Sequence, residues 1–310
     1  MKNIIFLPVA LVILGISAYF YTHQEQESAS ARFSIVCTTS IIGDTVRQLV
    51  GDDASVTSLM GPDIDPHLYR AREHDIQTLA TANLIIYNGL HLEGKLADVL
   101  HSMNRYVPTL SIADHLDRSR FIASDEYETM YDPHIWFDVR IWIDAVAIIR
   151  DALMEHDPEH APAYASRAHV YINELEELDR SIREKIATLK PSQRILVTAH
   201  DAFHYFGRAY GFQVVALQGI STESEAGIKD VQELVSFIVE HKVRALFVEA
   251  SIPERNIQAV QQAARARGFE VGIGDQLYSD ALGPLGNPTD TYIGMVRHNI
   301  EAIVGALASL

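Results

Sequence analysis

Three histidines and one aspartate are dispersed along the chain at expected loop positions: His67, His134, His200 and Asp280. Three imidazoles plus a carboxylate are enough to complete the inner shell of a divalent transition metal. Two of the histidines close the same tripeptide, Asp65-Pro66-His67 and Asp132-Pro133-His134. Proline fixes its own φ and pushes the preceding residue toward extended backbone, so each of these histidines leaves a stiff turn. His200 lies in Thr198-Ala199-His200-Asp201 after the apolar run Ile195-Leu196-Val197, and Asp280 lies in Leu277-Tyr278-Ser279-Asp280-Ala281-Leu282-Gly283. With 14 histidines in the chain, any single one is also readable as structural or solvated. His23, His156, His160, His169 and His241 stand in polar or helical surroundings and are assigned no role. Glu249, Asp65, Asp132 and Asp201 read either as carboxylates that orient a ligand imidazole or as loop and cap residues. A ligating imidazole must be neutral, so metal affinity is expected to fall on acidification through about 6.5.

Short apolar runs alternate with helical patterns, the signature of βα units and a largely parallel sheet. In the first half, strands are expected over 34–37, 56–59 and 84–87, with helices over 41–50, 73–80 and 92–103. In the second half, strands over 194–197, 212–217, 245–248 and 270–273 alternate with helices over 202–210, 228–241, 252–267 and 291–308. Ser251 and Glu254 suggest a capping box for the helix over 252–267. His200 then sits at the C-terminal end of a strand, where open α/β sheets hold their ligand crevices. The loops bearing His67 and Asp280 can reach the same edge, which puts two ligands from each half at a site between two lobes.

Between the halves, apolar residues recur every three or four positions from Pro162 to Leu189, through Tyr164, Ala168, Tyr171, Leu175, Leu178, Ile182 and Ile186. This predicts one helix of about 40 Å, with i,i+4 pairs Glu176–Arg180 and Asp179–Arg183 on its other faces. Nothing in it signals a kink, so release of a bound ion is expected through loosened loops and a slight tilt of one lobe, with no wide opening. The expected organisation is a targeting segment over 1–31, a βα lobe over 32–160, a linking helix over 161–190 and a second βα lobe over 191–310.

The 310 residues are 48% hydrophobic and carry a formal charge of −16, which supports a large core and argues against a nucleic-acid surface. Lys2 followed by the apolar stretch to Tyr21 reads as an export signal, with Ala29-Ser30-Ala31 as a cleavage site; left uncleaved, the same stretch would serve as an anchor. The single cysteine, Cys37, lies too far past that stretch for lipid attachment and reads as a small core residue.

Five segments carry a resemblance: Gly61-Pro62-Asp63-Ile64-Asp65-Pro66-His67-Leu68-Tyr69, Asn88-Gly89-Leu90-His91-Leu92-Glu93, Asp132-Pro133-His134-Ile135-Trp136-Phe137-Asp138, Val197-Thr198-Ala199-His200-Asp201-Ala202-Phe203 and Leu277-Tyr278-Ser279-Asp280. Their order and content resemble the TroA-like metal-binding proteins of bacterial ABC importers, the cluster A-I solute-binding proteins for zinc and manganese, from Phe33 to the C-terminus. The resemblance implies an α/β fold of two βα lobes with mostly parallel sheets joined by one long rigid helix, with the metal in the interlobe cleft. It also implies His67, His134, His200 and Asp280 as ligands, no enzymatic activity, an extracytoplasmic location, a membrane permease as partner and a monomeric state. Histidine nitrogens favour zinc, whereas a manganese site is expected to carry more oxygen ligands; some branches of the family place glutamate where His200 stands. Manganese and iron(II) stay open. The stretch from His115 to Tyr131 lacks the histidine-rich insertion of many zinc-dedicated relatives and reads as polar and acidic through Ser124-Asp125-Glu126-Tyr127-Glu128. The competing function is a periplasmic zinc hydrolase with three protein ligands and an open fourth position.

Overall fold

The β-branched and aliphatic runs of the first half pair into one parallel sheet because each is followed by a helix that returns the chain to the same edge. The computed structural model describes residues 32–124 and 130–308. The expected targeting segment and most of the acidic stretch after Ser124 lie outside these residues. Strands β1 (Phe33–Cys37), β2 (Ala54–Ser58), β3 (Leu84–Tyr87) and β4 (Thr109–Ser111) lie in the order β2-β1-β3-β4. Ile35 is in register with both Val56 and Leu84. Helix α1 (Ser40–Val50) starts where the Thr39 hydroxyl accepts the Ile42 N–H at 3.3 Å, and it stops at Gly51, whose φ of 56° favours glycine. Helices α2 (Glu73–Ala80) and α3 (Ala97–Met103) cover the sheet's return paths. Cys37 is fully buried at the end of β1, and burial pushes its thiol up to about 12.

Helix α4 (Val139–His156) has no counterpart among the expected elements. Asp138 caps it by accepting the Arg140 N–H at 3.0 Å. Its buried residues Trp142, Ala145, Val146, Ile149 and Leu153 recur every three or four positions, with Arg140, Asp144, Asp151 and Glu155 exposed on the other side, while the partly buried Ile143, Ala147 and Ile148 blur the edge of that stripe. Helix α5 (Ala161–Ile186) is the long helix, with Pro162 in its first turn and the expected apolar series buried. It ends three residues before Leu189: Pro191 holds Lys190 in extended backbone, with ψ at 151°, so the last predicted turn unwinds. Asp179 pairs with Arg183 as expected, whereas Arg180 pairs with Glu177 and not with Glu176.

In the second half β5 (Ile195–His200) pairs in parallel with β6 (Gln213–Gln218), and β7 (Ala245–Leu246) with β8 (Gly272–Ile273). The Phe247 N–H donates to the Val197 carbonyl at 2.9 Å and joins the two pairs. Helices α6 (His204–Tyr210), α7 (Ile228–His241), α8 (Arg255–Ala266) and α9 (Tyr292–Ala308) complete this lobe. The expected capping box at Ser251 and Glu254 is absent. Helix α8 begins at Arg255 without a side-chain cap, and the Ser251 hydroxyl instead stands 3.3 Å from that of Ser279.

The largest core does not belong to one lobe. Trp142, Tyr164, Tyr171, Leu175, Phe203, Tyr292 and Ile303 pack in one cluster with Ile35 and Leu84, so α1, α4, α5 and α9 fuse the two sheets through a common interior. Buried polar bonds repeat the join: Trp142 Nε1 donates to Thr45 Oγ1 at 3.2 Å, the Tyr292 N–H to Asp44 at 2.8 Å, and the Leu282 N–H to Ser40 Oγ at 3.0 Å. Among the described residues no helix is long and apolar enough to cross a membrane.

Candidate metal centre

The two Asp-Pro-His tripeptides fold alike. Asp65 Oδ1 accepts the His67 N–H at 2.9 Å, and Asp132 Oδ1 accepts the His134 N–H at 2.9 Å. Each aspartate thus closes a turn around the proline, a local bond suited to a short side chain with an acceptor oxygen. In the second copy Asp132 Oδ1 also lies 2.7 Å from His134 Nδ1, which turns Nε2 away from it and toward the cleft. Asn88, at the end of β3, fixes this turn by donating from Nδ2 to the Pro133 carbonyl at 3.0 Å. Asn88 is itself held by buried Glu93, which accepts its N–H at 2.8 Å and the Thr38 hydroxyl at 2.7 Å.

His200 is the last residue of β5. Glu249 Oε1 accepts the Ala199 and His200 N–H groups at 2.9 Å each, and Oε2 lies 2.5 Å from His200 Nδ1. Asp280 is positioned by Trp136, whose Nε1 donates to the Ser279 carbonyl at 3.0 Å across 143 positions of sequence. Asn299 of α9 brackets the same segment through both Tyr278 backbone groups.

These frames converge. One donor atom from each of His67, His134, His200 and Asp280 lies within 4.8 Å of the others, and all four residues are buried. His67 Nε2 to His134 Nε2 is 3.4 Å, His134 Nε2 to Asp280 Oδ1 is 3.4 Å, His200 Nε2 to Asp280 Oδ2 is 3.3 Å, and His67 Nε2 to Asp280 Oδ2 is 3.9 Å. Four donors at ~2.0–2.1 Å from one centre in a tetrahedron stand ~3.3–3.4 Å apart, and three of these separations, taken over both Asp280 oxygens, fall in that range. Both Asp280 oxygens and His200 Nε2 are buried without a hydrogen-bond partner, an arrangement that is costly unless a cation takes up the lone pairs. Because Oδ1 and Oδ2 each face an imidazole, the carboxylate can supply one oxygen or two, and a second oxygen donor suits manganese.

Burial opposes a positive charge on all three rings. It draws His67 down to about 3, with Asp280 resisting. On His134 the carboxylates of Asp132 and Asp280 outweigh burial and raise the ring to about 9. On His200, Glu249 and Asp280 outweigh it and push the ring well above the imidazole range. Asp280 falls well below the carboxylate range, because His200 and His134 overcome the desolvation that would raise it.

All four predicted residues meet at one point. Of the four carboxylates left open, Asp132 and Glu249 contact imidazole rings, Asp65 holds the His67 backbone and the Thr222 hydroxyl but no ring, and Asp201 turns to His204 at 3.2 Å. Sequence reasoning missed the braces Trp136, Ser279 and Thr222, the last of which donates from its hydroxyl to Asp65 Oδ2 at 2.6 Å. No spacing rule marks them, since each acts across more than a hundred residues. A cleft of about 310 Å³, lined by His67, Leu90, His91, Lys95, Tyr131 and Glu223, leads from the surface to His67.

Comparison with known proteins agrees over nearly the whole chain. The chain is 42% identical over 307 residues to the manganese-binding lipoprotein MntA of Bacillus subtilis (strain 168), spanning 99% of this chain and 98% of the relative. It is also 42% identical over 291 residues to the zinc-binding protein TroA of Treponema pallidum (strain Nichols), spanning 93% and 94%. The solved periplasmic zinc-binding protein TroA from Treponema pallidum superposes with a TM-score of 0.87, covering 89% of this chain and 99% of that one. The iron-binding protein YfeA of Yersinia pestis is 29% identical over 288 residues, 93% of this chain and 90% of the relative. With a family model matched from residue 35 to 306, the chain belongs to the ZnuA family, the periplasmic component A of zinc-uptake complexes.

Proposed function

We propose that this protein captures a divalent transition metal outside the cytoplasm and hands it to the permease of an ABC importer, with His67, His134, His200 and Asp280 as the ligands. The observation that carries the reading is the set of donor separations, 3.3–3.4 Å for three of the four measured pairs, together with the unpartnered oxygens of Asp280. Relatives named for manganese, zinc and iron share this chain's length, and a carboxylate able to offer one oxygen or two supports a shell that admits all three. Three imidazoles favour zinc among them. A hydrolase needs an open coordination position for water, and four protein donors converging on one point leave none in a tetrahedral shell.

The protein works as a monomer, without nucleic acid, in two lobes over 32–160 and 191–310 linked by the helix over 161–190. Residues 1–31 export it and either are removed or hold it at the membrane. Metal content of protein purified without chelator, followed by zinc and manganese competition, tests the reading: one ion per chain is expected. Alanine at any one ligand should weaken binding by more than the ~10–100-fold typical of outer-shell partners. Stoichiometric tight binding by His134→Ala or Asp280→Ala would remove that residue from the site.

A further inference from the structure

Three of the four ligands are fastened by buried bonds within the frame of sheets and helices. His134 is held through Asp132 and Asn88, His200 through Glu249, and Asp280 through Trp136 and Asn299. His67 is different. It lies in the irregular stretch between β2 and α2, flanked by the exposed side chains of Ile64 and Leu68, and it is the one ligand that lines the open cleft. The carboxylate beside it, Asp65, grips the His67 backbone with Oδ1 and reaches the opposite lobe with Oδ2, where it accepts the Thr222 hydroxyl at 2.6 Å. Thr222 is buried in the loop after β6, which Gln218 fixes by donating from Nε2 to the Ser224 carbonyl at 3.1 Å. Its neighbour Glu223 pairs with Lys95 across the same cleft at 3.0 Å.

We infer that Thr222 is a positioning residue for the metal centre: its hydroxyl clamps Asp65, and through it the His67 turn, so that this one bond between lobes sets how long the ion stays. The ion cannot leave past the three braced ligands without disturbing the sheets, whereas freeing Asp65 lets the His67 turn swing into the cleft and opens the shell. The Lys95–Glu223 pair, about a third exposed or more on each side, is screened by solvent and contributes less.

The inference rests on the reading of the four residues as a metal site, and the test separates the two. Full-length wild type, Thr222→Val and Thr222→Ser are loaded with zinc, and transfer to an excess of chromogenic chelator is followed by stopped flow. Thr222→Val should still bind one zinc per chain but release it about tenfold faster, the effect of losing a hydrogen bond to a charged group. Thr222→Ser, which keeps the hydroxyl, should release at the wild-type rate, a rescue that loss of packing alone would not give. Lys95→Met should change release by no more than about fivefold. If the valine variant does not fold, Thr222→Ala carries the same comparison. Equal release from loaded wild type and the hydroxyl-less variant overturns this inference alone; a wild type that takes up no metal overturns the metal-site reading and this one with it.

Discussion

At the centre itself, protons and metal compete for the same nitrogens. His134, raised to about 9 by Asp132 and Asp280 against burial, and His200, raised well above the imidazole range by Glu249 and Asp280 against burial, hold their protons at neutral pH in the metal-free protein. An incoming cation must expel them. Proton release is therefore expected on binding at about pH 7, and affinity should keep climbing as the pH rises toward about 9, well beyond the ~6.5 midpoint of an unperturbed histidine. Titration calorimetry in buffers of different ionisation enthalpy counts those protons, and a count near zero would contradict the raised pKa values. A second expectation concerns Glu249, whose two oxygens hold both the backbone and the ring of His200. Glu249→Ala should cost ~10–100-fold in affinity with one ion still bound, read by competition against a chelator. The convergence of His67, His134, His200 and Asp280 was legible in part because Asp-Pro-His occurs twice and a stiff turn is written locally. The carboxylates behind the rings were only half legible: Asp132 acts within its own tripeptide, but whether Glu249 or Asp201 would face His200 depended on how β5 sits beside the strand that ends at Glu249.

Among the elements, α5 shows how far periodicity reaches. Its buried series matched the expectation residue by residue, and only the final turn failed, where Pro191 overrides the pattern. Helix α4 was missed although its buried residues Trp142, Ala145, Val146, Ile149 and Leu153 keep helical spacing, because the partly buried Ile143, Ala147 and Ile148 blur the contrast with its polar side. The cap of α8 failed because Ser251 was claimed by a residue 28 positions away, an engagement no local motif records. Leu175, fully buried on α5, tests the assignment of this helix to structure and not to binding. Leu175→Ala should lower unfolding free energy by ~2–5 kcal/mol in denaturant titration while leaving zinc affinity within about twofold of wild type. A large loss of affinity would mean that α5 transmits strain to the cleft.

For the whole molecule, the common interior of α1, α4, α5 and α9 limits what the lobes can do relative to each other. Separating them widely would expose Trp142, Tyr164 and Tyr292 and break the bonds of Tyr292 to Asp44 and Trp136. Small-angle scattering should accordingly give nearly the same radius of gyration with and without metal, and a large change would sink a mechanism confined to the His67 turn. Bound metal should still stabilise the fold by mass action, by ~2.7 kcal/mol at a free concentration one hundred times the Kd, visible as a raised melting temperature. The bond from Trp136 to Ser279 has a further bearing on when cargo can be taken up. The four residues are spread from position 67 to position 280 of 310, and the Ser279 carbonyl beside the last of them is held by a residue 143 positions before it. A chain still being synthesised, or threaded unfolded through a translocation channel, holds only isolated imidazoles until its final tenth has emerged. Under the proposed reading a complete shell therefore forms only after the C-terminal lobe has folded, and a partly made chain offers an ion at most three imidazoles.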